Sequence, residues 1–270
     1  MKKIRYVKMD PTGNITVLVT DPVPRDEQAE TARKLMADPA VGGEQVGFLE
    51  EPQDPACRIR LRMMGGEFCG NATMCTAAWV MKTDGTEGTA EIPLEVSGAE
   101  GILRCRIRTV ENGWEGTVRM PAVLECRSVM MPWNGTGYQL TAVRMEGITH
   151  LIVNGRIDRD EEAETMLKTW AGAYPDDAVG LLQWNEQEHR IRPLVLVKAT
   201  GTAVWENGCG SGSAAVGAWK ALTGDAPVTV TEVNQPGGTI RTEVRTEMGR
   251  ITETFITGTV RPVCTGTAVL

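Results

Sequence analysis

The chain is short of several things. Two histidines, His150 and His189, and no Cys-x-x-Cys leave the usual mixed zinc spacings unfilled, so no metal centre is expected. Aromatic residues make up 5% of the 270 residues, and no apolar run approaches the length a membrane span needs. Positive charge is in deficit, with a formal net charge of −7 and no Lys/Arg cluster. That excludes a nucleic-acid or anionic-membrane surface, each of which demands a basic patch. The opening "MKKIRYVKMD" has lysines with no apolar stretch behind them, so no signal peptide is read and the cytoplasm is the expected location. Seven cysteines, an odd number scattered along the chain, do not make a disulfide framework. Cys57, Cys105, Cys126 and Cys264 read as small buried hydrophobes, and Cys75 as core of a helix.

Present instead are many short β-branched stretches bounded by Gly, Pro, Asn or Asp, among them "KKIRYVKMD", "RIRLRMM", "RIRPLVLV" and "PVTVTEVNQ". Helical patterns are fewer. "RDEQAETARKLMAD" places apolar residues at Ala29, Ala32, Leu35 and Met36, and "RDEEAETMLKTWAGAY" repeats its acid-led character around Leu167 and Trp170. Two further helices follow Cys-Gly pairs.

Those pairs form a repeat. "EFCGNATMCTAAW" and "ENGCGSGSAAVGAW" each carry a Trp ten positions after the cysteine, and Cys69 and Cys209 lie 140 residues apart. "VKMDPTGNITVLV" resembles "VRMEGITHLIV", with Met9 and Met145 offset by 136. Two anchors at nearly one offset predict an internal duplication. The expected architecture is α+β: residues 1–124, completed by a last strand at about 260–270, and residues 125–259. The boundary falls near "MPAVLECRSVMMPWNGTG", punctuated by Pro121, Pro132 and Asn134-Gly135.

A helix N-terminus offers unpaired N–H groups and the positive end of the dipole. It suits a carboxylate, and it lowers the pKa of a cysteine placed there. Asn71, Ser211 and Ser213 are expected as caps or donors. If both helix entries serve one substrate, one thiolate takes the α-proton of an amino acid while the other thiol delivers a proton to the opposite face. Charge passing into the α-carboxylate is then stabilised without a cofactor.

"EFCGNATM" and "ENGCGSGSAA" resemble the two active-site motifs of the diaminopimelate epimerase-like superfamily of cofactor-independent two-thiol racemases and epimerases. The likeness runs through "PTGNITVLV", "GEQVGFLE", "NQPGGTI" and "TGTVRPVCTGTAV", essentially the whole chain. It implies two pseudo-symmetric domains, each a β-sheet wrapped around a central helix, with the active site in the cleft between them. Within the superfamily, "GEFCGNATM", "EQVGF", "WENGCGSG" and "QPGG" are most similar to the histidine racemases of staphylopine-type metallophore biosynthesis. The resemblance makes Cys69 and Cys209 the two bases and puts the α-carboxylate against Gly70, Asn71, Gly210, Ser211 and Gly212. It makes Glu44 and Glu206 polar contacts to the ammonium or side chain, and Asn14 a lining residue. Gln45 aligns with a site glutamine of diaminopimelate epimerases, and strand alternation lets only one of Glu44 and Gln45 face inward. No cofactor and no metal are implied; the partners are a small amino acid and a second subunit in a homodimer.

Departures bear on the substrate. "KATGTAVWENG" before Cys209 holds no arginine to clamp a distal carboxylate, and Lys198 is its nearest base, which argues against diaminopimelate. "CGN" replaces the "CGH" of proline racemases and speaks for a primary amino acid. Phenazine-biosynthesis isomerases of this fold lack the two thiols. Gly66 stands where the staphylopine-type enzymes have an asparagine. Trp205 reads as an aromatic wall for an imidazole or as core, and His150 as a satisfied core histidine. The alternatives are a diaminopimelate epimerase, a racemase of another primary amino acid, and an amino-acid-binding protein without catalysis.

Overall fold

Alternation of β-branched residues with polar ones builds most of the structure, a computed structural model that describes residues 2–270. In chain order the first elements are β1 (Lys3–Pro11), β2 (Thr16–Val19), α1 (Arg25–Ala37), β3 (Gln45–Glu50), β4 (Ile59–Met63), α2 (Gly70–Asp84), β5 (Thr89–Val96), β6 (Leu103–Val110) and β7 (Gly113–Arg119). There follow β8 (Val123–Trp133), β9 (Thr136–Met145), β10 (Ile148–Asn154), α3 (Asp160–Trp170) with a 3-10 turn at Ala171–Ala173, β11 (Ala178–Asn185), β12 (Arg190–Val197) and β13 (Thr202–Trp205). The last are α4 (Gly210–Thr223), β14 (Val228–Gln235), β15 (Gly238–Glu247) and β16 (Arg250–Val269). The fold is α+β and dominated by sheet. Two compact units emerge among the described residues: residues 2–119 with 257–270, and residues 120–256, so that β16 contributes to both. Leu124, where the sequence-based division falls, lies within β8.

In the first unit the strands run in the order β1 to β7 and then β16, which also pairs antiparallel with β1 and so closes the path. Within it, β2–β3 and β4–β5 are parallel and the other registered pairs antiparallel. Inside the ring lies α2, which touches β1, β2, β4, β5, β6 and β7. A helix enclosed this way must be apolar or small on every face. "GNATMCTAA" buries each of residues 70–78. The outer helix α1 packs on β3, with Leu35 and Ala32 against Val46 and Phe48. Its buried face is Gln28, Thr31, Ala32 and Leu35, while Ala29 is exposed, contrary to the sequence pattern. Gln28 is inward because its amide reaches the Val23 carbonyl and Glu50, at 3.2 and 2.7 Å.

In the second unit the order is β8-β9-β10-β11-β12-β14-β15-β16, and β13 pairs antiparallel with β12 at Leu194–Val197, beyond the Arg190–Asn234 pairing of β12 with β14. Here β10–β11 and β12–β14 are the parallel pairs. The small-residue helix α4 lies on β8, β9, β10, β14 and β15. On the other side, Leu167 and Trp170 of α3 join Leu181 and Leu194 in a second core. The "MMPWNGTG" segment is the end of β8 and its turn into β9, where Asn134 and Gly135 both have positive φ, 48° and 77°. Such a pair of left-handed residues is what a two-residue hairpin loop requires.

Of the cysteines read as buried hydrophobes, Cys57 and Cys105 are buried, but Cys126 is half-buried and Cys264 exposed. Cys264 sits on β16 opposite Lys8. Isolated apolar positions on a two-faced strand do not reveal which face is covered. Among the described residues no helix is long and apolar enough to cross a membrane, and no cluster of metal-ligating side chains occurs.

Candidate active site

Each unit places one cysteine at the N-cap of its small-residue helix. Cys69 has extended backbone (φ −139°, ψ 110°), and its sulfur accepts the N–H of Ala72 at 3.4 Å. Cys209 does the same (φ −107°, ψ 105°), accepting the N–H of Gly212 at 3.3 Å. The caps are thus the cysteines themselves, not Asn71, Ser211 or Ser213. A hydroxyl four residues on braces each cap from within: Thr73 Oγ1 donates to the Cys69 carbonyl at 2.7 Å, and Ser213 Oγ to that of Cys209 at 2.9 Å. Gly70, Asn71, Gly210 and Gly212 are buried in the first turns; Ser211 is half-buried.

Around Cys69, the approach loop is pinned by Ser97, whose hydroxyl donates to the Glu67 carbonyl at 2.8 Å and accepts the Met63 N–H at 2.9 Å. Gly66 within that loop has φ +80°. Glycine and asparagine are the residues that adopt this conformation at least cost, so Gly66 stands where an asparagine also fits. The Cys69 thiol donates to Gln45 Oε1 at 3.1 Å. Gln45 Nε2 donates to Thr16 Oγ1 at 2.7 Å, and that hydroxyl donates to the Asn14 carbonyl at 3.0 Å. Asn14 is buried behind the turn Pro11–Asn14, in which Thr12 (φ 55°) and Gly13 (φ 88°) are both left-handed. A β-branched residue is strained there. Between Glu44 and Gln45, it is Gln45 that meets Cys69; Glu44 is exposed, one residue ahead of β3.

Around Cys209, a residue that sequence reasoning missed does much of the holding. Gln235 is buried; its Oε1 accepts the Cys209 N–H at 2.6 Å and its Nε2 donates to Ser213 Oγ at 2.8 Å. The sequence signal for it is the "NQPGG" stretch that carries part of the family likeness. His150 is fully buried, its Nε2 2.9 Å from Ser211 Oγ, which is 3.6 Å from the Cys209 sulfur. Its Nδ1 has no hydrogen-bond partner among the described residues, so it is less satisfied than expected. Burial lowers its pKa to about 3 and keeps the ring neutral.

The expected lowering of the cysteine pKa does not hold at Cys209. Burial pushes this thiol well above its ordinary range, and the charge of Glu206 and its hydrogen bond push further. Ser211 and the Gly212 N–H pull the other way and are outweighed. A helix end stabilises a thiolate only while desolvation costs less. Glu206 itself is half-buried beyond β13, its N–H on the Pro193 carbonyl at 3.0 Å. Trp205 packs against the second unit's core with the Arg192 guanidinium 3.9 Å from its ring centre. Lys198 is engaged with the Tyr174 carbonyl at 2.5 Å.

This pair of capped thiols can be set against known proteins. A family model described as the histidine racemase CntK N-terminal domain matches residues 3–269. The chain belongs to this family. Membership of the CntK histidine racemase family makes it an isomerase of the racemase and epimerase kind, and the resemblance read from the sequence stands. It is similar to the histidine racemase of Staphylococcus aureus, 29% identical over 273 residues that cover 99% of this chain and 98% of the relative. A diaminopimelate epimerase of Rhodospirillum centenum is 40% identical over 114 residues, 38% of this chain and 36% of its own length. Among solved structures, a Bacillus anthracis phenazine biosynthesis protein of the PhzF family is covered fully in both directions, with a TM-score of 0.71 at 17% identity. That likeness concerns the fold alone.

Proposed function

We propose that this protein is an amino-acid racemase that interconverts L- and D-histidine by two-base proton transfer between Cys69 and Cys209, without a cofactor. The observation that carries the reading is the repeated N-cap: two thiols, each accepting a backbone N–H at 3.4 or 3.3 Å at the mouth of a buried helix. In this reading one thiolate takes the α-proton, so a C–H bond breaks, an S–H bond forms and the electron pair stays on the α-carbon. The pair delocalises into the α-carboxylate, held by the N–H groups of Gly70, Asn71, Gly210 and Ser211, while the Gly212 N–H stays on the Cys209 sulfur. The second thiol then gives its proton to the opposite face and becomes the thiolate. Cys209, kept protonated by burial and by Glu206, suits the donor role at rest. Glu206 receives the ammonium or the imidazole and Asn14 lines the pocket, while Glu44, exposed ahead of β3, makes no substrate contact in this reading.

We further infer that the two units are halves of a duplication. Their connectivity supports this: each runs antiparallel, parallel, antiparallel, parallel, antiparallel through β1–β6, or through β9–β12, β14 and β15. Histidine is favoured over diaminopimelate because the run 198–208 leading to Cys209 holds no arginine and Lys198 is occupied elsewhere. A homodimer in the cytoplasm completes the proposal.

The test is α-proton exchange by NMR in D2O, with reduced protein and a panel of L-amino acids that includes histidine and diaminopimelate. Exchange on histidine with appearance of the D-form is expected, and Cys69→Ser and Cys209→Ser should each abolish racemisation. Full turnover in both single variants would sink the two-thiol mechanism. Exchange on another amino acid alone would move the substrate.

A further inference from the structure

The side-chain amide of Gln45 has one orientation open to it. Thr16 Oγ1 carries a single proton, which goes to the Asn14 carbonyl at 3.0 Å. Its lone pair therefore receives the N–H of Gln45 at 2.7 Å, and the amide oxygen is left facing the Cys69 sulfur at 3.1 Å. Thr16 is fully buried and pairs with Gln45 across the parallel β2–β3 register, so the backbone itself sets hydroxyl against amide. An amide oxygen only accepts. It takes the S–H of the thiol and offers nothing to a thiolate, whereas the Ala72 N–H favours the thiolate.

The geometry points to Gln45, locked by Thr16, as a positioning residue for Cys69 and not a substrate contact. It aims the S–H bond and keeps the sulfur basic, offsetting the helix-end donor that would weaken it as a base. This rests on the reading of Cys69 as one of the two bases. When Cys69 acts as acid, its S–H···O bond to Gln45 breaks, the proton joins the α-carbon and sulfur keeps the bonding pair. When it acts as base, the new S–H returns to the Gln45 oxygen. In the second unit the corresponding parallel pair of strands meets differently: His150 lies opposite Gly180 and reaches Ser211 instead.

The experiment compares Thr16→Val, which leaves the amide free to turn its NH2 towards sulfur, with Thr16→Ser, which keeps the hydroxyl. Two readouts are taken: kcat and KM for racemisation, and the rate at which iodoacetamide alkylates Cys69, followed by peptide mass spectrometry. Thr16→Val should alkylate several-fold faster and lose about tenfold in kcat, with KM changed by no more than about twofold. Thr16→Ser should restore both. Gln45→Leu, at a half-buried site, should also alkylate faster and guards against a folding failure of the valine variant. A raised KM with unchanged kcat would assign Gln45 to the substrate, and unchanged alkylation in both variants would overturn the proposal. Should the wild type racemise no amino acid, the two-base reading fails, while the alkylation comparison still judges Gln45.

Discussion

Gly180→Ala tests how the second thiol is supported. Gly180 lies opposite His150 across the parallel β10–β11 register, and the imidazole occupies the space that a side chain at 180 would take. A Cβ there would overlap Nδ1 and come within 2.7 Å of Cε1. His150 is fully buried, so its ring cannot swing into solvent. Overpacking of a filled core costs about 1–3 kcal/mol, and losing the 2.9 Å bond from Nε2 to Ser211 about 1 more. A total near 3 kcal/mol corresponds to a fall in Tm of roughly 10 °C for a unit of this size. Ser211 is 3.6 Å from the Cys209 sulfur, so kcat/KM for racemisation should fall as well. The assay is a thermal melt of reduced protein by circular dichroism alongside the D2O exchange rate. Gly172→Ala is the control: its Cβ would meet nothing within 4 Å, and its Tm should not move. A Gly180→Ala variant that melts and turns over like the wild type would refute the wedged imidazole.

Two other outcomes are expected. Gln235→Leu leaves the buried N–H of Cys209 without its acceptor at 2.6 Å, which costs about 1–3 kcal/mol; the melt should drop and exchange should slow. The neutral, buried His150 makes the protein sensitive to acid: its pKa is about 3 folded against about 6.5 unfolded, so the unfolded chain binds the extra proton. Stability is then full above pH 6.5 and is lost as pH falls towards 3, by roughly 2 kcal/mol at pH 5. Urea unfolding of the wild type and His150→Gln at pH 7 and pH 5 reads this, and an equal acid loss in both would remove His150 as its source.

Much was legible in the sequence because it is local. Alternation along "RIRLRMM" or "RIRPLVLV" sets which residues share a face, and that needs no knowledge of the partner strand. The Cys-Gly pairs before runs of small and apolar residues marked two buried helices and their mouths, since a helix covered by a sheet must be small or apolar on the faces it buries. The family likeness lay in the same stretches. Tertiary structure decided what depends on distant segments. It turned Gln45 rather than Glu44 to Cys69, brought Gln235 to the Cys209 backbone from 26 residues away, and exposed Ala29 and Cys264. It also reversed the expected charge state of Cys209. A helix end is a local property and favours the thiolate, but burial and the nearness of Glu206 are set by how the strands close over the cap, and at this cysteine they outweigh it.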